Sequence, residues 1–231
     1  MKKAKRTISL LLMATILTTS VLAYSDVPNT HWAYTYINDV TVNGFMHGTT
    51  STTDSFSPDR DIQRCEVATA LGQKFQSDVD SAADIWNHKI NYIFSDCEDG
   101  AYYTDYVIWV VDRGFMNGVS STLPAKFEPN RPITRQEVCV VFQNIIVTIE
   151  AFTSYKYNHS YSTSCCTDFN QVAGWATDAV GWMYANNILN GYPDGSFRPN
   201  NDITRAEFAK MLSMFWQKCG AGMTALFNRT N

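Results

Sequence analysis

Residues 188–208 read ILNGYPDGSFRPNNDITRAEF, and this stretch has two earlier counterparts in the 231-residue chain. Residues 115–138 read FMNGVSSTLPAKFEPNRPITRQEV, and residues 45–67 read FMHGTTSTTDSFSPDRDIQRCEV. Each copy has a glycine soon after an apolar pair, then Phe-x-Pro, then Arg-x-Glu. The closing glutamates, Glu66, Glu137 and Glu207, are 71 and 70 residues apart. Such a period is typical of one unit repeated along the chain rather than of a single-site enzyme.

Each copy predicts two helices joined by a loop. Apolar residues at helical spacing indicate the first helix, and they begin at an aromatic residue in every copy. These positions are Trp32, Tyr36, Ile37 and Val40, then Tyr102, Tyr106, Val107 and Val110, then Trp175, Ala179, Val180 and Met183. The pattern stops near Gly44, Gly114 and Asn187, which suit a left-handed helix end. The second helix is predicted to begin at the Arg-x-Glu segment.

A pair of helices is too small to close a hydrophobic core, whereas three pairs together can do so. We therefore expect one all-α domain of three helix-loop-helix repeats related by an approximate threefold axis. The expected boundaries are repeats at 24–76, 94–150 and 166–218, linkers at 77–93 and 151–165, and a tail at 219–231. Almost nothing of the chain lies outside the three copies.

Residues 1–23 have the pattern of an export signal. A basic start (Lys2, Lys3, Lys5 and Arg6) precedes an apolar stretch at 8–17 and a small-residue cleavage site ending at Ala23. Cleavage there would leave 14 basic and 22 acidic side chains, a net charge of −8. This acidic balance argues against nucleic-acid binding, which needs a basic footprint. No later apolar run predicts a membrane span, so we expect a secreted protein.

The six cysteines do not follow the repeat. An even number in an exported chain permits disulfides, so they are interpreted either as small apolar residues or as one or two bridges. The chain has no Cys-x-x-Cys pair and no histidine at a repeated position, so we predict no metal site and no cofactor. Acidic pairs such as Asp59 and Asp61 do not recur, and we do not expect an enzyme.

The Arg-x-Glu segment combines a structural signal with an unexplained charge. Thr134 with Glu137, and Thr204 with Glu207, form capping boxes. Capping does not explain the arginines Arg64, Arg135 and Arg205, because a cation at a helix start opposes the helix dipole. Free backbone N–H groups beside a guanidinium would form an anion site. Arg205→Ala would then cost no more than about 1 kcal/mol of stability.

Two alternatives stay open for the repeated residues. Each arginine could instead form an internal salt bridge to the aspartate that opens its copy, namely Asp26, Asp96 or Asp168. The aromatic residues Trp32, Tyr102 and Trp175 are either sugar platforms or core residues, and packing is the more common role of such a side chain.

The three copies resemble S-layer homology repeats. That family's pattern is an opening Ser-Asp-Val, a His-Trp before the first helix, an Asn-Gly-Tyr-Pro-Asp-Gly-x-Phe-x-Pro loop and Ile-Thr-Arg-Ala-Glu. Copy three carries the loop and residues 204–207 intact, and copy one carries residues 25–27 and His31-Trp32. Copy one has Gln63-Arg64-Cys65-Glu66 in place of Thr-Arg-Ala-Glu, and copy two lacks both His-Trp and Tyr-Pro-Asp-Gly.

The resemblance implies a three-pronged helical domain that attaches non-covalently to the bacterial cell wall. Its implied partner is the secondary cell-wall polysaccharide attached to peptidoglycan, often through pyruvylated sugars held in grooves between repeats. In the family the arginine contacts the acidic group, which carries over to Arg64, Arg135 and Arg205. The other implied ligand-binding positions are Asp26, Asp96, Asp168, Gly48, Gly118, Gly191, Trp32, Tyr102 and Trp175. The departures from the pattern predict that the grooves bind unequally.

A second interpretation of the function stays open. The chain could be a structural surface-layer or tethering protein that assembles with itself or binds another surface-layer protein.

Overall fold

The computed structural model describes residues 24–49, 54–120, 124–161 and 163–228, so the predicted export signal lies outside the described residues. The described part contains seven α-helices and two short 3₁₀ turns, Phe169–Gln171 and Gly174–Ala176. The helices are α1 (Tyr34–Val42), α2 (Arg64–Gln73), α3 (Gln76–Ile85), α4 (Thr104–Asp112), α5 (Arg135–Phe152), α6 (Thr177–Ala185) and α7 (Arg205–Phe227). The predicted all-α class and the three repeats are confirmed.

The second helices begin where the capping signals predict. The side chains of Thr134 and Thr204 accept hydrogen bonds from the backbone N–H groups of Glu137 and Glu207 at the starts of α5 and α7. At the start of α2, Glu66 accepts from the backbone N–H of Gln63 at 2.9 Å. Part of the first turn of each second helix is therefore capped by residues of the same segment.

The first helices end at the predicted residues. Gly44, Gly114 and Asn187 have φ angles of 76°, 70° and 56°, in the left-handed region that terminates helices. The chain reverses there and enters the loop.

The helices pack between copies in a closed cycle. The first helix of copy two, α4, packs on α2 of copy one, and α6 of copy three packs on α5 of copy two. The first helix of copy one, α1, packs on α7 of copy three and so completes the cycle. The hydrophobic core therefore consists of surfaces that different copies contribute.

A ring of backbone hydrogen bonds marks the threefold axis. The N–H of Ile62 donates to the carbonyl of Ile203, Ile203 donates to Ile133, and Ile133 donates to Ile62, with N···O distances of 3.0, 3.0 and 3.1 Å. All three side chains are fully buried. One residue from each copy thus supplies the donor and the acceptor that its neighbours need.

The segments between copies cover the first helix that follows them. α3 packs on α4, and the carbonyl of Asn158 accepts a hydrogen bond from Trp182 on α6 at 2.6 Å. The helix that the apolar pattern could extend through Ile93 instead ends at Ile85, because Asn87 and His88 adopt left-handed φ angles of 52° and 54°.

The cysteines serve as small apolar residues. All six are free thiols in the structure, and Cys65, Cys139 and Cys219 are fully buried. Burial raises the pKa of Cys139 and of Cys219 to about 12, so these thiols are protonated and unreactive at neutral pH.

Candidate functional site

The three arginines of the Arg-x-Glu segments are buried, and each crosses to another copy. Their side chains are only 5–7% exposed. Arg64 donates from Nε to the carbonyl of Phe127, Arg135 to that of Phe197, and Arg205 to that of Phe56, each at 2.8 Å. Each arginine thus binds the loop of the following copy, and copy three binds copy one.

Two arginines also make a second bond to the same loop. Nη2 of Arg64 donates to the carbonyl of Asn117, and Nη2 of Arg205 donates to the carbonyl of His47, both at 2.8 Å. Removing such a side chain would leave two acceptors without their donor. The expectation that Arg205→Ala costs little stability is therefore revised, because unsatisfied buried acceptors are costly.

The first N–H groups of the second helices are not free. Those of Arg64, Arg135 and Arg205 donate to carbonyls of a neighbouring copy at 2.9–3.0 Å, and those of the next residue in each helix do so at 2.9–3.1 Å. The predicted anion site with open backbone N–H groups is wrong in this respect, because the neighbouring copy already occupies them. Within the Arg-x-Glu segments, the donors left for an anion are therefore those of the guanidinium groups.

The opening aspartates hold the loops rather than the arginines. Asp26 accepts from the N–H groups of Phe56 and Ser57 at 2.8 and 2.7 Å. Asp96 and Asp168 bind the equivalent loop residues of their own copies at 2.7–2.9 Å. Among the described residues, none of the three arginines therefore forms the salt bridge to an opening aspartate that the alternative interpretation predicted. Each aspartate instead fixes the phenylalanine whose carbonyl receives an arginine from another copy.

The glutamate of each segment lies at the exposed end of a guanidinium. The Nη1 atoms of Arg205, Arg64 and Arg135 are 3.7, 3.8 and 3.4 Å from Glu66, Glu137 and Glu207. At 3.7 and 3.8 Å the contacts of Arg205 and Arg64 are ion pairs without a hydrogen bond. The 3.4 Å contact of Arg135 is at the long limit for a hydrogen bond. The Nη1 donors therefore remain able to bind another acceptor.

Three equivalent grooves arise from this cycle, and each takes residues from three copies. A groove consists of one copy's glycine loop and second helix, the arginine of the preceding copy and the opening aromatic residue of the following copy. Groove 1 contains Gly48, Glu66, Tyr102 and Arg205. Groove 2 contains Gly118, Glu137, Trp175 and Arg64. Groove 3 contains Gly191, Glu207, Trp32 and Arg135. Their volumes, about 390, 510 and 590 Å³, are those of small-ligand sites.

The aromatic residues of the grooves are exposed rather than buried. Trp32, Tyr102 and Trp175 have 55%, 64% and 61% of their surface exposed. The interpretation of these residues as core is wrong, because the first helix starts two residues after each of them and its apolar face begins later. A flat ring at a groove wall can stack on the apolar face of a ligand.

The loop glycines are required by close approach. A Cβ atom at Gly48, Gly118 or Gly191 would lie 2.8, 2.9 or 2.5 Å from a backbone carbonyl oxygen of its own loop. Any side chain there would push the loop away from its aspartate. The glycines therefore shape the groove wall, and the sequence pattern identified them correctly as loop positions.

The carboxyl groups that hold the loops and pair with the arginines predict a fold that loses stability in acid. Burial raises the pKa of Asp26, but its hydrogen bonds with Ser55, Phe56 and Ser57 outweigh that effect and leave the pKa below its ordinary value of 3.8. The pKa of Glu66 and of Glu137 is likewise lowered, because ion pairs and backbone N–H donors outweigh burial. Groups with a lowered pKa in the folded state contribute stability above their unfolded pKa and lose it as the pH falls.

We therefore expect the melting temperature to fall steadily as the pH is lowered from about 5 to about 3, where these groups protonate on unfolding. Differential scanning calorimetry across this range measures the effect. Asp26→Asn should lower the melting temperature at neutral pH and reduce the further fall of the melting temperature in acid. Asp59→Asn, which changes an exposed carboxyl without a partner among the described residues, is the matched control. An unchanged melting temperature between pH 5 and pH 3 would contradict the assignment.

Among the described residues, no cluster of metal-ligating side chains occurs. The helices described here also include none with the length and apolar character needed to cross a membrane.

Comparison with known proteins gives one family for all three copies. The family model of the S-layer homology domain matches residues 23–68, 93–139 and 167–209, which together are more than half of the chain. An endoglucanase from Bacillus sp. (strain KSM-635) is 25% identical over 233 aligned residues, covering 94% of this chain and 23% of the endoglucanase. A cellulosome-anchoring protein from Acetivibrio thermocellus is 36% identical over 94 residues, covering 41% of this chain and 20% of that protein.

An S-layer protein from Bacillus thuringiensis subsp. finitimus is 24% identical over 193 residues, covering 83% of this chain and 21% of its own length. This chain therefore spans less than a quarter of each of these three relatives.

Proposed function

The chain belongs to the S-layer homology domain family, and we propose that its three grooves bind an acidic, pyruvylated secondary cell-wall polysaccharide and so anchor it non-covalently to the wall. Proteins with these domains act at the bacterial cell surface, as the names of the S-layer and cellulosome-anchoring relatives indicate. The domain itself is an anchoring module rather than a catalytic one, although one relative that carries it is an endoglucanase.

One observation carries the proposal: each groove combines an exposed aromatic ring with a buried guanidinium that still has donors to offer. A guanidinium has five N–H donors. In Arg64 and Arg205 two of them are used by loop carbonyls, which leaves Nη1 directed at the glutamate side of the groove. A carboxylate on a sugar could accept from these donors while the ring packs against the aromatic platform.

The buried position of the arginines suits this role. The loop carbonyls fix each guanidinium before any ligand arrives, so little side-chain entropy is lost on binding. Burial also limits screening by salt, because the pair is shielded from bulk ions. Hydrogen bonds between a guanidinium and a carboxylate are stronger than those to a neutral sugar oxygen, and the proposal therefore names an acidic polymer.

The direct test is co-sedimentation of the chain, without residues 1–23, with purified walls. We expect the protein to pellet with walls that retain their secondary polymer and to remain in solution when that polymer has been removed chemically. Raising the salt concentration should weaken binding moderately without abolishing it. Bovine serum albumin, an acidic protein without these repeats, controls for trapping in the pellet.

Equal pelleting with intact and stripped walls would overturn the proposal, because the acidic polymer would then not be the ligand. Pelleting without any wall, at a rate that rises with protein concentration, would instead support the self-assembling surface-layer interpretation. Analytical ultracentrifugation of the protein alone separates these outcomes.

A further inference from the structure

The three grooves share one architecture, but groove 3 has a cation that the other two lack. Lys210 lines groove 3, and the equivalent positions in grooves 1 and 2 are Thr69 and Val140. Lys210 forms no ion pair with any described residue, and its ammonium nitrogen lies 5.8 Å from the centroid of the Tyr36 ring. Its charge therefore remains available to a ligand.

Grooves 1 and 2 also have a second cation near the glutamate, but that cation is neutralised. Arg60 binds both carboxylate oxygens of Glu66, at 2.6 and 3.0 Å, and Arg131 binds both oxygens of Glu137, at 2.7 and 3.2 Å. Copy three has Asn201 at the equivalent position. The second positive charge of groove 3 thus lies on the groove wall instead of within an ion pair.

The glutamate of groove 3 is held differently as a result. Glu207 accepts a hydrogen bond from the hydroxyl of Tyr192 at 2.5 Å. Tyr192 belongs to the loop of copy three and has no aromatic counterpart in grooves 1 and 2, where Thr49 and Val119 follow the loop glycine. A neutral hydroxyl therefore orients this carboxylate.

The arginine of groove 3 has the most donors available. Arg135 donates from Nε to the carbonyl of Phe197. In the part of the chain that the structure describes, it forms no counterpart of the second carbonyl bond that Arg64 and Arg205 make from Nη2. Its guanidinium carbon lies 4.7 Å from the ring centroid of Tyr192 and 5.2 Å from that of Phe197. Stacking on these rings holds the guanidinium plane in place. Nη1 keeps its 3.4 Å contact with Glu207, whereas Nη2 makes no bond to a loop carbonyl among the described residues.

Groove 3 is also the largest of the three, at about 590 Å³, and has two aromatic walls, Trp32 and Tyr192. Resting on the function proposed above, we propose that groove 3 is the principal ligand site and that Lys210 is the residue that selects a carboxylated sugar over a neutral one. Lys210 of copy three and Arg135 of copy two both line groove 3. A sugar carboxylate bound between these two cations would contact both. The weaker grooves 1 and 2 then add avidity along the polymer.

The test uses the chain without residues 1–23 and two matched probes in isothermal titration calorimetry. One probe is a methyl N-acetylhexosaminide with a 4,6-linked pyruvate ketal, and the other carries an isopropylidene ketal, in which a methyl group replaces the carboxylate. Lys210→Met keeps the aliphatic stem and removes the charge. We expect it to weaken binding of the pyruvate ketal about fivefold and to leave binding of the isopropylidene ketal unchanged.

Matched variants assign the effect to a groove. Lys218→Met removes an exposed lysine of the same helix that lines none of the grooves described here, and it should have no effect. Trp32→Ala should weaken binding of the pyruvate ketal, whereas Tyr102→Ala and Trp175→Ala should change it by less than twofold. All three aromatic residues are exposed, so these variants should keep their melting temperature.

The outcomes separate this inference from the function on which it rests. Unchanged affinity in Lys210→Met and Trp32→Ala, together with a loss in Tyr102→Ala or Trp175→Ala, would overturn the assignment to groove 3 and leave the wall-binding function intact. Equal losses for both probes in Lys210→Met would show that the lysine does not read the carboxylate. Absence of binding to both probes, together with failure to pellet with intact walls, would overturn the proposed function itself.

Discussion

A fragment of residues 24–93 is expected to be largely unfolded in dilute buffer, whereas residues 24–228 should melt in one cooperative transition. The fragment contains α1, α2 and α3, but α1 packs on α7 and α2 packs on α4, which it lacks. It also loses the Ile62 bonds to the other two copies and the carbonyl that receives Arg64. Helices of 9 or 10 residues are marginal in water without tertiary packing.

Far-ultraviolet circular dichroism during heating measures this effect. The fragment should show little helix and a broad, shallow temperature dependence. Mixing it with a second fragment of residues 94–228 should restore helical signal in proportion to complex formation, because the missing interfaces are then supplied in trans. A sharp and reversible melt of residues 24–93 alone would contradict the shared core.

The positions of the helices could be predicted because the signals that set them are local. Thr134 with Glu137 and Thr204 with Glu207 are three residues apart, and the starts of α5 and α7 follow directly from them. Gly44, Gly114 and Asn187 likewise ended the first helices as expected. Such features depend on neighbouring residues and not on the rest of the fold.

The partners of the arginines could not be predicted, because they are distant in sequence. The carbonyls that receive Arg64, Arg135 and Arg205 are 63, 62 and 149 residues away. The best-preserved loop is that of copy three, and the same copy carries Arg205. In the structure that loop works with Arg135, because every groove takes its arginine from the preceding copy.

A compensating substitution below the loops was also hidden from sequence reasoning. Tyr24 and Phe94 precede the opening serine-aspartate of copies one and two and pack on Phe56 and Phe127. Copy three has Cys166 at that position, and the ring comes from Tyr184 on α6, whose centroid lies 6.0 Å from that of Phe197. In all three copies an aromatic ring packs on the loop phenylalanine, but in copy three that ring comes from a different structural element.

Arg205→Ala is expected to lower the free energy of unfolding by about 3 kcal/mol. The side chain is 7% exposed and donates to the carbonyls of Phe56 and His47, and its guanidinium carbon lies 4.6 Å from the centroid of the Phe56 ring. The substitution would leave two carbonyls without their donor and would open a gap between copies three and one. Glu66 would keep its bonds to Arg60, so the loss reports on the interface and not on an orphaned carboxylate.

Urea unfolding monitored by circular dichroism gives this quantity, and Arg60→Ala is the matched control. Arg60 contacts the same glutamate, but its side chain is 41% exposed, so its loss should cost about 1 kcal/mol or less. Arg135→Ala should fall between the two, because Arg135 makes one carbonyl bond where Arg205 makes two. A variant Arg205→Ala as stable as the parent chain would contradict this prediction. The bonds of Arg205 to Phe56 and His47 would then not stabilise the contact between copies three and one, and the buried guanidinium would have a role in ligand binding alone.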